Sequence, residues 1–206
     1  MNKTTLINVF IIILIVAGVF FIANRQIEEP SEQIIINEQQ DKKGIDPKNA
    51  TYNIDGKEIT LVEGISEIEI APDLSSKIIT KYFGNEVRHD LDDDGREDVV
   101  FLLTQETGGS GVFFYIVAAL NTPYGYLGSH AFFLGDRIAP QTTHMDEGLT
   151  SRGTNRQNVI VVNYAVRLPD EPFTARPSIG KSTWLKLDTT TMQFGEVVQN
   201  FEGESR

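Results

Sequence analysis

Four regularly spaced aspartates, out of five within residues 90–98, offer the most distinctive chemistry in this sequence. They occupy positions one, three, five and nine of the stretch, as Asp90, Asp92, Asp94 and Asp98. Gly95 at position six permits a sharp turn, and the backbone carbonyl of Arg96 at position seven is expected to point inward as a further oxygen ligand. Because alternate carboxylates of a tightly wound loop converge on one side, the pattern predicts a site for a hard divalent cation.

An all-oxygen ligand set in a flexible loop favours Ca²⁺ over Mg²⁺, which demands stricter octahedral geometry. An EF-hand is disfavoured, because Phe101 stands where that motif requires a glutamate at position twelve. The stretch looks like the strand-flanked calcium loop of integrin-type propeller blades, used once. The alternative is a solvated acidic turn without an ion, which needs neither this register nor Gly95. We expect a structural staple rather than a catalytic centre.

Composition excludes several other kinds of chemistry. The chain has no cysteine, which rules out disulfides, thiolate metal sites and a cysteine nucleophile. Its three histidines form no His-Glu-x-x-His pair, so a zinc protease is unsupported. The net charge of −11 argues against a nucleic-acid partner, which needs a basic surface.

The N-terminal segment predicts export. Leu6 to Ala23 is apolar apart from Asn8, and its length nearly matches a hydrocarbon core of roughly 30 Å. Residues 1–23 are therefore expected to form an uncleaved single-pass transmembrane helix, with a cleaved signal peptide as the alternative. Residues 24–49 are polar and indicate a flexible linker. Both alternatives place residues 50–206 outside the cytoplasm, and the favoured uncleaved anchor holds them at the cell membrane.

These C-terminal residues have the pattern of a strand-built domain. Short apolar or alternating runs are separated by Gly, Pro, Asn and Asp, and Asp55-Gly56 marks a tight hairpin. The runs expected as strands cover 52–61, 65–70, 78–83, 99–104, 112–120, 124–134, 159–166, 182–187 and 192–198. The pattern predicts a mostly β fold, a single antiparallel β-sandwich or barrel-like domain. Runs that are apolar on both faces indicate covered central strands, and Trp184 is expected in the core. Asp136 and Arg137 are expected to form a local ion pair that orders a loop over residues 135–143, with a ligand contact as the alternative.

Several sequence blocks resemble a family of exported or membrane-anchored bacterial proteins that includes members from candidate phyla. The blocks are 82–86, the acidic loop, 101–105, 108–111, 113–120, 135–143 and 161–165, together with the proline-rich stretch before Gly180. The resemblance implies export and one compact domain from Ala50 to Glu204, and it implies no catalytic residues. The segment from His144 to Asn158 looks like an insertion relative to the shorter loop of that family.

These features favour one function over two others. A membrane-tethered, calcium-binding β domain that binds an envelope polymer or a protein is favoured, because the chain combines an anchor, a spacer and strands without a recognisable reaction centre. An exported hydrolase would need two carboxyl groups facing one cleft. An inhibitor of a cell-wall hydrolase would need a protruding loop. The sequence indicates a binding module more than an enzyme.

Overall fold

The structure, a computed structural model, describes residues 46–70, 76–146 and 157–198. Within these ranges no helix has the length and apolar character needed to cross a membrane. The expected anchor, residues 1–23, and nearly all of the expected linker lie outside the described residues, so both stay predictions.

The described residues form antiparallel β-sheets, as the sequence predicts, preceded by a short 3₁₀ turn at Pro47–Asn49. The strands are β1 (Thr51–Ile54), β2 (Lys57–Thr60), β3 (Ile65–Glu69), β4 (Lys77–His89), β5 (Asp98–Glu106), β6 (Phe113–Thr122), β7 (Gly125–Gly128), β8 (Phe132–Asp136), β9 (Ala139–Met145), β10 (Val159–Val166), β11 (Ile179–Asp188) and β12 (Gln193–Glu196). The arrangement is sandwich-like, which confirms the mostly β, antiparallel character that the sequence predicts.

Three sheets make up three layers. The largest has the order β3-β4-β5-β6-β7, and β8 also pairs with β6. A second sheet has the order β12-β11-β10-β9, and β1 pairs with β2 as a separate hairpin. That hairpin turns at Asp55 and Gly56, whose φ angles of 51° and 79° are the left-handed values that the Asp-Gly pair predicts.

The central strands β5 and β6 are buried on both faces. One face, with Leu102 and Ile116, packs against Ile160 and Leu185 of the four-stranded sheet. The opposite face, with Phe101 among others, packs against the β1–β2 hairpin. This double coverage explains why both strands read as continuous apolar runs in the sequence.

Two expectations about strands and one about the core need correction. The predicted run 124–134 is two strands, β7 and β8, interrupted at residues 129–131. Residues 139–145, most of which fall in the expected loop, form edge strand β9, although the Asp136–Arg137 ion pair before it is present. Trp184 is half-buried rather than in the core, because Leu185 and Leu187 take the inward positions of β11.

Candidate metal centre

The acidic stretch forms the connection between β4 and β5, at the end of the central sheet where β6 also ends. Gly95 has a φ of 84°, as its place at the sharp turn predicts. Asp93 also takes a left-handed conformation, with a φ of 60°, which the spacing of the carboxylates does not reveal. These two turns wind the loop tightly enough to bring residues at both of its ends together.

Three of the four aspartates converge. One carboxylate oxygen from each of Asp90, Asp92 and Asp98 lies within 4.8 Å of the other two. Asp98 is fully buried, Asp90 is half-buried and Asp92 is exposed, so the group extends from the protein interior to the solvent. Such a set of carboxylate oxygens suits a hard cation such as Ca²⁺, Mg²⁺ or Mn²⁺.

Asp98 is the most firmly held carboxylate of the group. Its Oδ2 accepts a hydrogen bond from the Leu91 amide at 2.8 Å, and its Oδ1 accepts one from the Asn121 amide at 2.7 Å. Burial raises the pKa of Asp98, and the negative charges of Asp92 and Asp94 act in the same direction, against the two amide bonds. The carboxylate therefore joins the loop to the end of β6.

The other two converging carboxylates have opposite electrostatic environments. Partial desolvation acts to raise the pKa of Asp90, but hydrogen bonds from the amides of Gly95 and Asp94, at 2.8 and 3.1 Å, hold it below its ordinary value. Partial desolvation raises the pKa of Asp92 although the residue is exposed, and the nearby charge of Asp94 adds to this effect. The group therefore contains two carboxyls that hold a proton more readily than an ordinary aspartate.

Asp94 lies outside the converging group of three, and its role as a ligand stays a prediction. Its carboxylate forms an ion pair with the Arg96 guanidinium and accepts a hydrogen bond from the Arg96 amide at 2.8 Å. The Arg96 Nε also donates to the Asn121 carbonyl at 2.5 Å. The Arg96 side chain thus braces the loop against the end of β6, and its backbone carbonyl stays a predicted ligand.

Asn158 ties the loop to the second sheet. Its Nδ2 donates to the Leu91 carbonyl at 3.0 Å, and its Oδ1 lies 3.1 Å from the Nε2 of His89. Because Asn158 directly precedes β10, the two residues on either side of Asp90 are linked to the four-stranded sheet. The loop therefore contacts β6 through Asn121 and the start of β10 through Asn158.

Comparison with family models, curated proteins and solved structures finds no match for this chain. The resemblance to exported bacterial proteins therefore stays a prediction.

Proposed function

We propose that this protein is a membrane-tethered, extracytoplasmic β domain that binds Ca²⁺ in the β4–β5 loop and serves as a binding module. The observation that carries the calcium part is the convergence of the Asp90, Asp92 and Asp98 carboxylates, of which Asp98 is buried. Three such charges repel one another, and a divalent cation between them removes that repulsion. The apolar segment from Leu6 to Ala23 supports the membrane part.

Calcium is favoured over magnesium by the kind of loop. Asp92 is exposed and directly precedes the left-handed turn at Asp93, so the ligand positions adjust to the longer and less regular bonds of Ca²⁺. A site of few carboxylates on a solvent-open loop has the character of the weaker extracellular calcium modules, with dissociation constants of about 10⁻⁴–10⁻³ M.

The bound ion acts as a structural cross-link. It joins the end of β4 to the start of β5 at the loop whose other contacts reach β6 through Asn121 and β10 through Asn158. Ion binding at one point therefore stabilises contacts that involve both large sheets. This structural role needs no reacting substrate, in keeping with a module that presents a surface rather than one that performs a reaction.

Calcium is expected to raise the melting temperature of the protein. At a calcium concentration 100 times the dissociation constant, linkage adds about 2.7 kcal/mol to the free energy of unfolding. For a domain of this size that corresponds to a rise of about 5–10 °C. Titration calorimetry and thermal melts of the full-length chain, with Ca²⁺, with Mg²⁺ and with EDTA, measure the effect.

Asp90→Asn and Asp188→Asn form the matched pair for this experiment. Asp90→Asn removes one charge of the converging group while keeping the side-chain shape, so the calcium increment is expected to be lost. Asp188 accepts amide bonds from Thr190 and Thr191 away from the group, so Asp188→Asn should keep the increment. An unchanged melting temperature in EDTA, together with no heat of Ca²⁺ titration, would mean that the ion assignment is wrong.

The calcium increment is expected to shrink as the pH falls from 7.5 to 4.5. The pKa values of Asp98 and Asp92 are raised above the ordinary 3.8, so the ion-free folded state takes up protons before the unfolded state does. These two groups therefore stabilise the ion-free form progressively as the pH falls, whereas the lowered pKa of Asp90 has the opposite sign. Protons thus compete with the ion for two of its three ligands.

The measurement is the difference between melting temperatures in Ca²⁺ and in EDTA at each pH, because titration of distant carboxylates affects both samples. An increment as large at pH 4.5 as at pH 7.5 would contradict the competition.

A further inference from the structure

A cleft of about 540 Å³ lies beside the turn between β8 and β9 and the loop that follows β10. Its volume is within the range of small binding sites. Six apolar residues line it: Ile138, Val166, Leu168, Pro169, Pro172 and Phe173. The cleft is at the opposite end of β10 from Asn158, roughly 23 Å along the strand, so it is separate from the acidic loop.

The mouth of the cleft exposes large apolar side chains. Ile138 is buried, but Leu168 is 49 % exposed and Phe173 is 69 % exposed. Single exposed apolar residues are ordinary on protein surfaces, whereas apolar residues gathered around a concavity are typical of a binding site. The cleft therefore offers space and apolar contact for one bulky side chain.

Two arginines, Arg167 in the lining of the cleft and Arg137 beside it, already have partners within the protein. Arg137 pairs with Asp136, at 3.0 Å from its Nε to Oδ2, and its guanidinium lies 4.1 Å from the ring centre of Phe173. Arg167 donates to the carbonyls of Ala175 and Arg137, at 2.5 and 2.9 Å. These contacts fix the walls.

The rim carries negative charge. Asp170 is exposed, and Glu171 is half-buried with one oxygen accepting the Leu168 amide at 2.9 Å. Both belong to a protein of net charge −11, so the long-range field also favours a cationic partner.

We propose that this cleft binds a short peptide segment in which a bulky aliphatic or aromatic residue is flanked by lysine or arginine. The apolar residue enters between Leu168 and Phe173, and the basic residues lie against Asp170 and Glu171. The inference deepens the interaction role in the proposed function and rests on that role, but it does not depend on calcium.

The backbone of the loop favours side-chain recognition over strand addition. Pro169 and Pro172 have no amide hydrogen to donate. The Leu168 and Glu171 amides already donate within the loop, to the Glu171 carboxylate and to the Leu168 carbonyl. A ladder of backbone hydrogen bonds is therefore unavailable to the peptide along residues 168–172, and specificity comes from one apolar side chain and its charged neighbours.

The test titrates acetyl-Lys-Leu-Lys-amide into the ¹⁵N-labelled full-length chain in neutral detergent, once in Ca²⁺ and once in EDTA. We expect saturable shifts of the Leu168, Glu171 and Phe173 amide signals in both conditions. The matched peptides acetyl-Lys-Ala-Lys-amide and acetyl-Glu-Leu-Glu-amide should each bind about tenfold more weakly, since about 1.4 kcal/mol corresponds to that factor. Added salt should weaken the binding of the lysine peptide.

Two cleft variants and one control locate the site. Phe173→Ala is expected to weaken binding about tenfold and Asp170→Asn about threefold, as 1.4 and about 0.65 kcal/mol would give. Tyr124→Ala, at a side chain that is 97 % exposed in the turn between β6 and β7, should leave binding unchanged. Asp170→Asn keeps the test valid if Phe173→Ala alters the loop. The proposal is overturned if the glutamate peptide binds as well as the lysine peptide or if the shifts map elsewhere. It is also overturned if binding does not saturate at about 10 mM peptide, which corresponds to a binding free energy weaker than about −3 kcal/mol.

Discussion

Asp98→Ala is expected to lower the free energy of unfolding by roughly 2–5 kcal/mol, even in EDTA. The substitution removes the acceptor of two amide hydrogen bonds, those of Leu91 and Asn121, at a side chain that is fully buried. A buried donor that loses its acceptor costs about 1–3 kcal/mol. The loss should be larger in Ca²⁺, because the variant also removes one of the three converging ligands.

Asp98→Asn separates the two parts of this effect. The asparagine keeps one carbonyl acceptor for one of the two amides. The free energy of unfolding of Asp98→Asn in EDTA should therefore lie between those of the wild type and Asp98→Ala. Its neutral side chain weakens the ion site, so the calcium increment should be largely lost. Urea unfolding of the three proteins with and without Ca²⁺ measures both quantities.

Asp188→Ala is the matched control for Asp98→Ala. Asp188 also accepts two backbone amides, from Thr190 and Thr191, but at an exposed turn where water can replace the lost acceptor. Asp188→Ala should therefore lower the free energy of unfolding much less than Asp98→Ala does. If Asp98→Ala and Asp188→Ala lowered the free energy of unfolding equally, Asp98 would not be the buried carboxylate that holds the loop in place.

Much of the site could be predicted from the loop alone. The positions of Asp90, Asp92 and Asp98 follow from carboxylate spacing around Gly95, because a tight loop places alternate side chains on one side. Asp94 is not among the three converging carboxylates, and the guanidinium two residues along the chain pairs with it. Spacing rules describe ligands around an ion and contain no information about a local counter-charge.

The residues that fix the loop could not be predicted. Asn121 lies 23 residues after Asp98 in the sequence, and Asn158 lies 67 residues after Leu91. Each asparagine occupies an ordinary turn position when the sequence is read locally. Their roles arise only when β6 and β10 are brought to the same end of the fold, which depends on the order of strands in two different sheets.

The strands show the same division between local and tertiary causes. Asp55-Gly56 specifies its hairpin by backbone conformation alone. The break between β7 and β8 instead depends on distant partners, because the His130 amide donates to the Met192 carbonyl and the Ala131 amide to the Asn53 carbonyl. Strand β9 lacks an apolar alternation and contains Pro140, which an edge strand tolerates.

Contact between layers is the other feature that only the fold reveals, and Gly128 of β7 tests it. A Cβ at this position would overlap the Thr51 carbonyl oxygen and lie 2.7 Å from Cδ1 of Tyr52. Tyr52 is 1 % exposed, donates from its hydroxyl to the Pro47 carbonyl at 2.6 Å, and packs edge-on against Phe101. The absence of a side chain on β7 thus allows β1 to lie directly against it.

Gly128→Ala is therefore expected to lower the free energy of unfolding by about 2–4 kcal/mol, since the added methyl group meets backbone rather than a movable side-chain end. Gly180→Ala is the matched control: it also changes a strand glycine, but nothing lies within 4 Å of the added Cβ, so its effect should stay within about 0.5 kcal/mol. Urea unfolding gives both free energies, and near-ultraviolet circular dichroism reports whether the Tyr52 environment is lost. If both variants were equally stable, the hairpin would not be seated on β7, and the three-layer arrangement would have to be revised.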